Sequence, residues 1–192
     1  HSLLKIAVHE HYTYTHSVNV AAVGTLFGKN IGLNDDELKN LCSGILMHDV
    51  GKTRISTEIL NKNGELTKEE FEIIKKHPEL GVEVLKEAGC TMEHEYIITL
   101  QHHENYDGSG YPYGLRKYEI HLCGKIARII DVYDALTSRR PYSDAVRPFK
   151  ALVEMKEKML NSFDKQLFID FVHFLGPYYP RNEERKFDRL KN

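Results

Sequence analysis

"NDDELKNLCSGILMHDVGK", residues 34–52, is the stretch on which the class of fold turns. Asn34 with Glu37 three residues later is the signature of a helix start, and Leu41, Ile45 and Leu46 recur at helical spacing up to His48. Gly51 is expected to stop that helix. The run therefore ends in an imidazole and a carboxylate, His48 and Asp49, followed by Lys52. Polar groups of this kind at a helix end invite a metal, provided that other helices converge on the same point.

The rest of the chain repeats the helical period almost throughout. A first helix is expected from Leu3 to Phe27, closed by Gly28, and a short turn of helix around Ser56 to Leu60. Thr67 with Glu70 forms a second capping pair, for a helix predicted to end at His77 because Pro78 follows. Further helices are expected over Pro78 to Glu87, Met92 to His103, Leu122 to Thr137, Phe149 to Leu160 and Lys165 to Leu175. Residues 104–121 have turn chemistry, with Asp-Gly, Gly-Tyr-Pro and Gly114. No alternating run of β-branched residues argues for a sheet, although Ile120 to Leu122 suits a short extended piece. The fold class is all-α. One domain over residues 1–180 and a charged tail or linker over 181–192 account for the chain.

Composition narrows the function. With 192 residues, 41% hydrophobic and 28% charged, the chain is long enough to bury a core and reads as a soluble protein. It lacks the roughly 18 consecutive apolar residues of a membrane span. A net charge of −2 offers a nucleic-acid polymer no electrostatic hold. Three cysteines without a C-x-x-C argue against a disulfide framework or a thiolate zinc site, and suit a reducing cytoplasm. His1 in place of an initiator Met, with no signal-peptide pattern, leads one to expect a piece of a longer protein.

Eleven histidines stand out, and several fall at predicted helix ends. His48 with Asp49, His77, and the adjacent His102 and His103 are the candidates. Adjacent helical residues point about 100° apart, so a neighbouring pair serves one ligand position poorly. Two metals resolve this, since an Asp carboxylate can bridge two ions while each neighbouring imidazole serves one. Imidazole mixed with carboxylate suits iron, manganese or zinc. Two such ions can hold a hydroxide and stabilise an in-line displacement at phosphorus. "HEHYTYTH" at 9–16 fails as a zinc-protease motif, because H-E-x-x-H needs a His where Thr13 stands. His94, His121 and His173 read as surface or satisfied core residues.

"HDVGK" at 48–52, "NKNGELTKEEFEIIKKHPELG" at 61–81, "HHENYDGSGYP" at 102–112 and "ARIIDVYDALTSRRPY" at 127–142 together resemble the HD-GYP family. Its members are bacterial phosphodiesterases of the HD superfamily that degrade cyclic di-GMP. The resemblance covers His9 to Leu175. It implies a helical bundle with a metal centre in its core, and hydroxide attack that opens the ring to pGpG, to GMP or to both. It implies the ligands His16, His48, Asp49, His77, His102, His103 and Asp131. Spacing alone leaves His9 and His11 as rivals of His16, and Asp134 as a rival of Asp131.

The same resemblance gives Lys52 a phosphate or the attacking hydroxide, and Asp134 an orienting role toward water or the leaving oxygen. Gly110, Tyr111 and Pro112 would line the ligand pocket, and Arg140 would grip an anion. The family's Glu that helps to hold a third metal is replaced by Tyr12, so two metals are implied, iron first and manganese or zinc after it. Ser143 stands where the family often has a basic ligand contact, which implies weaker binding. Cyclic di-GMP, or a hybrid cyclic GMP-AMP, is the implied partner. An upstream regulatory domain or a GGDEF-type partner is expected beside it, and the domain is expected to face the cytoplasm. The rival expectations are a sensor module that binds the dinucleotide without useful turnover, and an HD-type hydrolase of another nucleotide.

Overall fold

The computed structural model describes residues 2–62, 64–138 and 145–176, with side chains from residue 14 onward. Nine α-helices lie among them: α1 (Ser2–Asn30), α2 (Asp35–Met47), α3 (Thr57–Leu60), α4 (Lys68–Ile74), α5 (His77–Glu87), α6 (Glu93–Gln101), α7 (Leu122–Thr137), α8 (Pro148–Met159) and α9 (Lys165–Phe174). No named strand occurs among the described residues. A single antiparallel bridge joins Asp107 to Arg116 in the loop after α6.

The two capping pairs form as read. Asn34 accepts from the backbone N–H of Glu37 while Glu37 accepts from that of Asn34, and Thr67 and Glu70 do the same. Each satisfies N–H groups that a helix start leaves orphaned. The core lies around α7, in which Ile126, Ile129 and Ile130 are fully buried. Val20 and Phe27 of α1, Leu41 and Ile45 of α2, Ile98 of α6, Met155 of α8 and Phe171 of α9 close on it. At roughly 1.5–3 kcal/mol per buried large apolar side chain, this shared cluster is the main favourable term holding α7 in place.

Three of the boundaries that differ from the sequence reading do so for a packing reason. Gly28 does not end α1, which continues to Asn30. A Cβ there would come within 2.9 Å of Leu41 and 3.0 Å of Leu33, so the glycine lets α2 approach. Gly51 does not stop α2 either. The helix ends at Met47 with His48 as its cap, and Gly51 lies in a 3₁₀ turn over Val50–Arg54. There a Cβ would stand 1.9 Å from the His77 carbonyl oxygen and 2.4 Å from the Gly81 nitrogen, so the turn lies directly on the start of α5. Finally, His77 opens α5 and α4 stops at Ile74. Pro78 sits in the first turn of α5, where its missing N–H costs nothing.

Candidate metal centre

Helix ends and helix faces converge on one buried cluster. His48 caps α2, Asp49 begins the 3₁₀ turn, His77 begins α5 and His102 caps α6. α1 supplies His16, and α7 supplies Asp131. His77 and His102 have no exposed surface, and His48, His16, Asp49 and Asp131 are also buried. Their imidazole rings stand with centroids 4.1 Å apart for His102 and His103, 4.8 Å for His48 and His102, and 4.9 Å for His77 and His103. Burying so many polar rings is costly unless something satisfies them.

The backbone dictates what they offer. His48 Nδ1 lies 2.6 Å from the Ile45 carbonyl, His77 Nδ1 2.8 Å from that of Ile74, and His102 Nδ1 2.8 Å from that of Thr99. A carbonyl only accepts, so each Nδ1 carries the proton and each Nε2 presents a lone pair. His77 Nε2 and His102 Nε2 then face each other at 3.1 Å. Asp49 Oδ1 lies 3.3 Å from the first and 3.8 Å from the second. Three acceptors cannot satisfy one another. A proton is a poor remedy, because burial depresses His77 to about 4 and holds His102 and His103 well below the usual imidazole range. His48 Nε2 and Asp49 Oδ1 are buried with no hydrogen-bond partner. A metal cation answers all of these groups at once.

Two groups of side chains bring their ligand atoms within 4.8 Å of one another. One is Asp49, His77, His102 and His103, and the other is His16, His48 and Asp49. Asp49 belongs to both, as a bridging carboxylate would. Burial works to raise the Asp49 pKa, but Lys52 leads the groups that hold it well below the usual carboxylate range. Lys52 Nζ donates to Asp49 Oδ2 at 2.6 Å.

Asp131 stands between the two groups. Its Oδ1 is 3.1 Å from His16 Nε2 and its Oδ2 is 4.0 Å from His103 Nδ1. Asp134, one turn along α7, accepts from His16 Nδ1 at 2.6 Å and from the Ser138 hydroxyl at 3.0 Å. It thus holds the His16 ring from behind, the arrangement that fixes a ligand histidine's orientation. Burial alone would lower the His16 pKa, yet Asp131 and Asp134 raise it to about 9.

The loop after His103 folds back over the cluster. Gly110 allows this, since a Cβ there would meet the Asn105 nitrogen at 2.3 Å and the His103 carbonyl at 2.5 Å. The Tyr111 ring stacks on His103 with centroids 4.7 Å apart and 27° between planes. Tyr111 and Pro112 are half-buried. Arg140 and Ser143 lie outside the described residues, as do the side chains of His9, His11 and Tyr12.

Two residues of this site escaped the sequence reading. Glu104 is buried and accepts from the backbone N–H groups of Tyr113 at 2.7 Å and Leu115 at 2.9 Å, which pins the loop. Arg128 donates from Nε to the Asn105 side chain at 2.9 Å and ties the loop to α7. The signal for Glu104 was available: an acid before a Gly-rich turn faces N–H groups that need an acceptor. For Arg128 there was none, because only the fold brings residues 105 and 128 together.

Comparison with known proteins agrees with this geometry. Residues 5–167 match the model of the HD domain family. A cyclic di-GMP phosphodiesterase of Pseudomonas aeruginosa is 36% identical over 177 residues, which are 92% of this chain and 42% of that protein. A cyclic di-GMP phosphodiesterase of Thermotoga maritima is 37% identical, over 90% of this chain and 48% of its own. The chain thus spans less than half the length of these relatives. Among solved structures, the HD-GYP protein Bd1817 of Bdellovibrio bacteriovorus superposes with a TM-score of 0.70 at 20% identity, covering 86% of this chain and 53% of that one. The HD domain of a Listeria monocytogenes phosphodiesterase, PgpH, superposes at 0.60 and 22% identity, over 85% and 87%. In sequence and in fold, the chain belongs to the HD domain family and is related within it to the HD-GYP cyclic di-GMP phosphodiesterases.

Proposed function

We propose that this domain is a metal-dependent phosphodiesterase that opens a cyclic dinucleotide, cyclic di-GMP first and cyclic GMP-AMP second. The observation that carries the reading is the pair of His/Asp groups sharing Asp49, with buried lone pairs that nothing else satisfies. The curated relatives named for cyclic di-GMP support the first ring, and Vibrio cholerae relatives named for 3'3'-cGAMP, one of them 34% identical over 88% of this chain, support the second. Iron is the first choice of metal, with manganese or zinc next, given imidazole and carboxylate donors. Bound there, two such ions supply positive charge for phosphate oxygens and make water nucleophilic at neutral pH.

The chain's own residues set the geometry of the reaction. Asp49 would be shared by both ions, with His77, His102 and His103 holding one and His16, His48 and Asp131 the other. Asp134 keeps His16 aligned. Lys52 has a side chain 31% exposed while its ammonium touches Asp49, so it stands where the cluster meets solvent. A phosphate entering there meets that ammonium, which steadies the charge that develops as the ring P–O bond breaks. Tyr111 on His103 forms the wall beside it. Water adds to phosphorus, the released ribose oxygen takes a proton, and linear pGpG results; a second cleavage gives GMP.

The test is chromatography of products from cyclic di-GMP and cyclic GMP-AMP, with protein purified anaerobically and reloaded with iron, manganese or zinc. Metal-dependent appearance of linear dinucleotide, lost in Asp49→Ala together with the metal, is the expected result. Tight binding of the ring without product in any metal state would replace the enzyme by a sensor module.

A further inference from the structure

Phe71 is an aromatic residue that the core does not use. It lies on α4, a seven-residue helix in which no residue is buried, and it is 46% exposed. The helix owes its form to the Thr67–Glu70 capping pair rather than to an apolar face packed on the bundle. Yet the Phe71 ring stands edge-on to Tyr111, with centroids 6.4 Å apart and planes at 80°. Tyr111 in turn stacks on His103. The Lys75 ammonium lies 5.4 Å from the Phe71 centroid. Surface, Phe71, Tyr111, His103 and metal cluster thus form one continuous path. A nucleotide with its phosphate at the cluster would extend its ribose and base along it.

We infer that Phe71 and Tyr111 form a nucleobase-binding corner, with Phe71 as a binding residue that stacks on one base of the ring. The chemistry of this corner favours a purine. Two rings nearly at right angles offer one surface for stacking and one for edge contact, and the Lys75 ammonium, which lies over one face of Phe71 and pairs with Glu72 at 2.5 Å, can turn to the acceptor edge of a purine on the other face. Stacking on one aromatic ring is worth about 5- to 150-fold in affinity, and it tolerates either purine. The exposure of a phenylalanine on a helix that buries none of its residues is thereby explained. The inference rests on the cyclic dinucleotide reading above.

The experiment uses steady-state kinetics of the metal-loaded protein with three variants: Phe71→Leu, Phe71→Ala and Phe71→Trp. The protein has no tryptophan, so Phe71→Trp also reports binding by its own fluorescence. Leucine keeps the apolar packing on Tyr111 and removes the π face. For cyclic di-GMP, Phe71→Leu and Phe71→Ala should raise KM about tenfold or more with kcat within about twofold. Phe71→Trp should keep KM near the parent's, and its fluorescence should be quenched by the dinucleotide. Hydrolysis of methyl 4-nitrophenyl phosphate, which has no base, should be unchanged in all three. Equal KM values for the parent and Phe71→Leu on the dinucleotide would overturn the stacking role while leaving the phosphodiesterase reading intact. Absence of dinucleotide binding and turnover in the parent would overturn both.

Discussion

At the scale of single residues, the cluster is defined by which nitrogen carries a proton. The carbonyls of Ile45, Ile74 and Thr99 commit three histidines to one tautomer, and that choice faces their lone pairs inward. Asp134 makes the corresponding choice for His16. Asp134→Asn should therefore weaken metal at that side by about 10- to 100-fold while sparing the other, a split that metal titration would reveal. Equal loss from both sides, or none, would remove Asp134 from this role.

The same residues set the metal-free chain's response to pH. His77 is held at about 4 against an ordinary 6.5, so the stability it contributes is present above about pH 6.5 and is lost as pH falls toward 4. His102 and His103, also lowered by burial, act in the same direction. His16, raised to about 9, contributes stability that is full below about pH 6.5 and is lost as pH rises through 9. Chemical denaturation of chelated protein across this range should give a maximum between these limits. A flat profile from pH 4 to 9 would contradict the depiction of four imidazoles in unequal environments.

At the scale of elements, sequence and structure agree where the information is local. Both capping pairs formed, and α7 begins and ends at Leu122 and Thr137 as the periodicity predicts. They part where a residue's role depends on a distant partner. Gly28 and Gly51 read as helix stops because glycine is a common stop. Their use here is to admit Leu41 to one helix and the start of α5 to the other. His77 read as the end of one helix, whereas two turn residues separate it from α4 and it opens the next.

The site follows the same division. His48, His77, His102 and His103 were legible as polar groups at helix ends. His16 and Asp131 needed the family resemblance, since nothing local separates them from His9, His11 or Asp134. The loop that carries Tyr111 depends on Glu104, whose carboxylate accepts two backbone N–H groups. Glu104→Gln leaves only one neutral acceptor oxygen and turns an N–H₂ toward the loop, at a cost of about 1–3 kcal/mol. KM for the dinucleotide should rise, with metal content unchanged. A variant with unaltered kinetics would show that the loop holds without this anchor.

At the scale of the whole molecule, α7 joins the core to the metal cluster. One face of it carries the isoleucines of the core, and the adjoining edge carries Asp131 and Asp134. Core packing and site geometry are therefore mechanically one object, and metal that binds the folded chain must stabilise it. At a hundredfold excess over Kd, one bound ion adds about 2.7 kcal/mol. For a chain of this size that corresponds to roughly 5–10 °C in Tm. Calorimetry with and without chelator should register a rise of that order with iron, manganese or zinc. None of the described helices is long and apolar enough to cross a membrane.

Asp49 belongs to both ligand groups, and its sharing by two ions is the central expectation. Anomalous diffraction from crystals grown with iron or manganese, with data on both sides of the metal edge, tests it directly. The expected map has two peaks per chain, one among His77, His102 and His103 and one beside His16 and His48, with the Asp49 carboxylate between them. One peak, or two that do not touch Asp49, would contradict it.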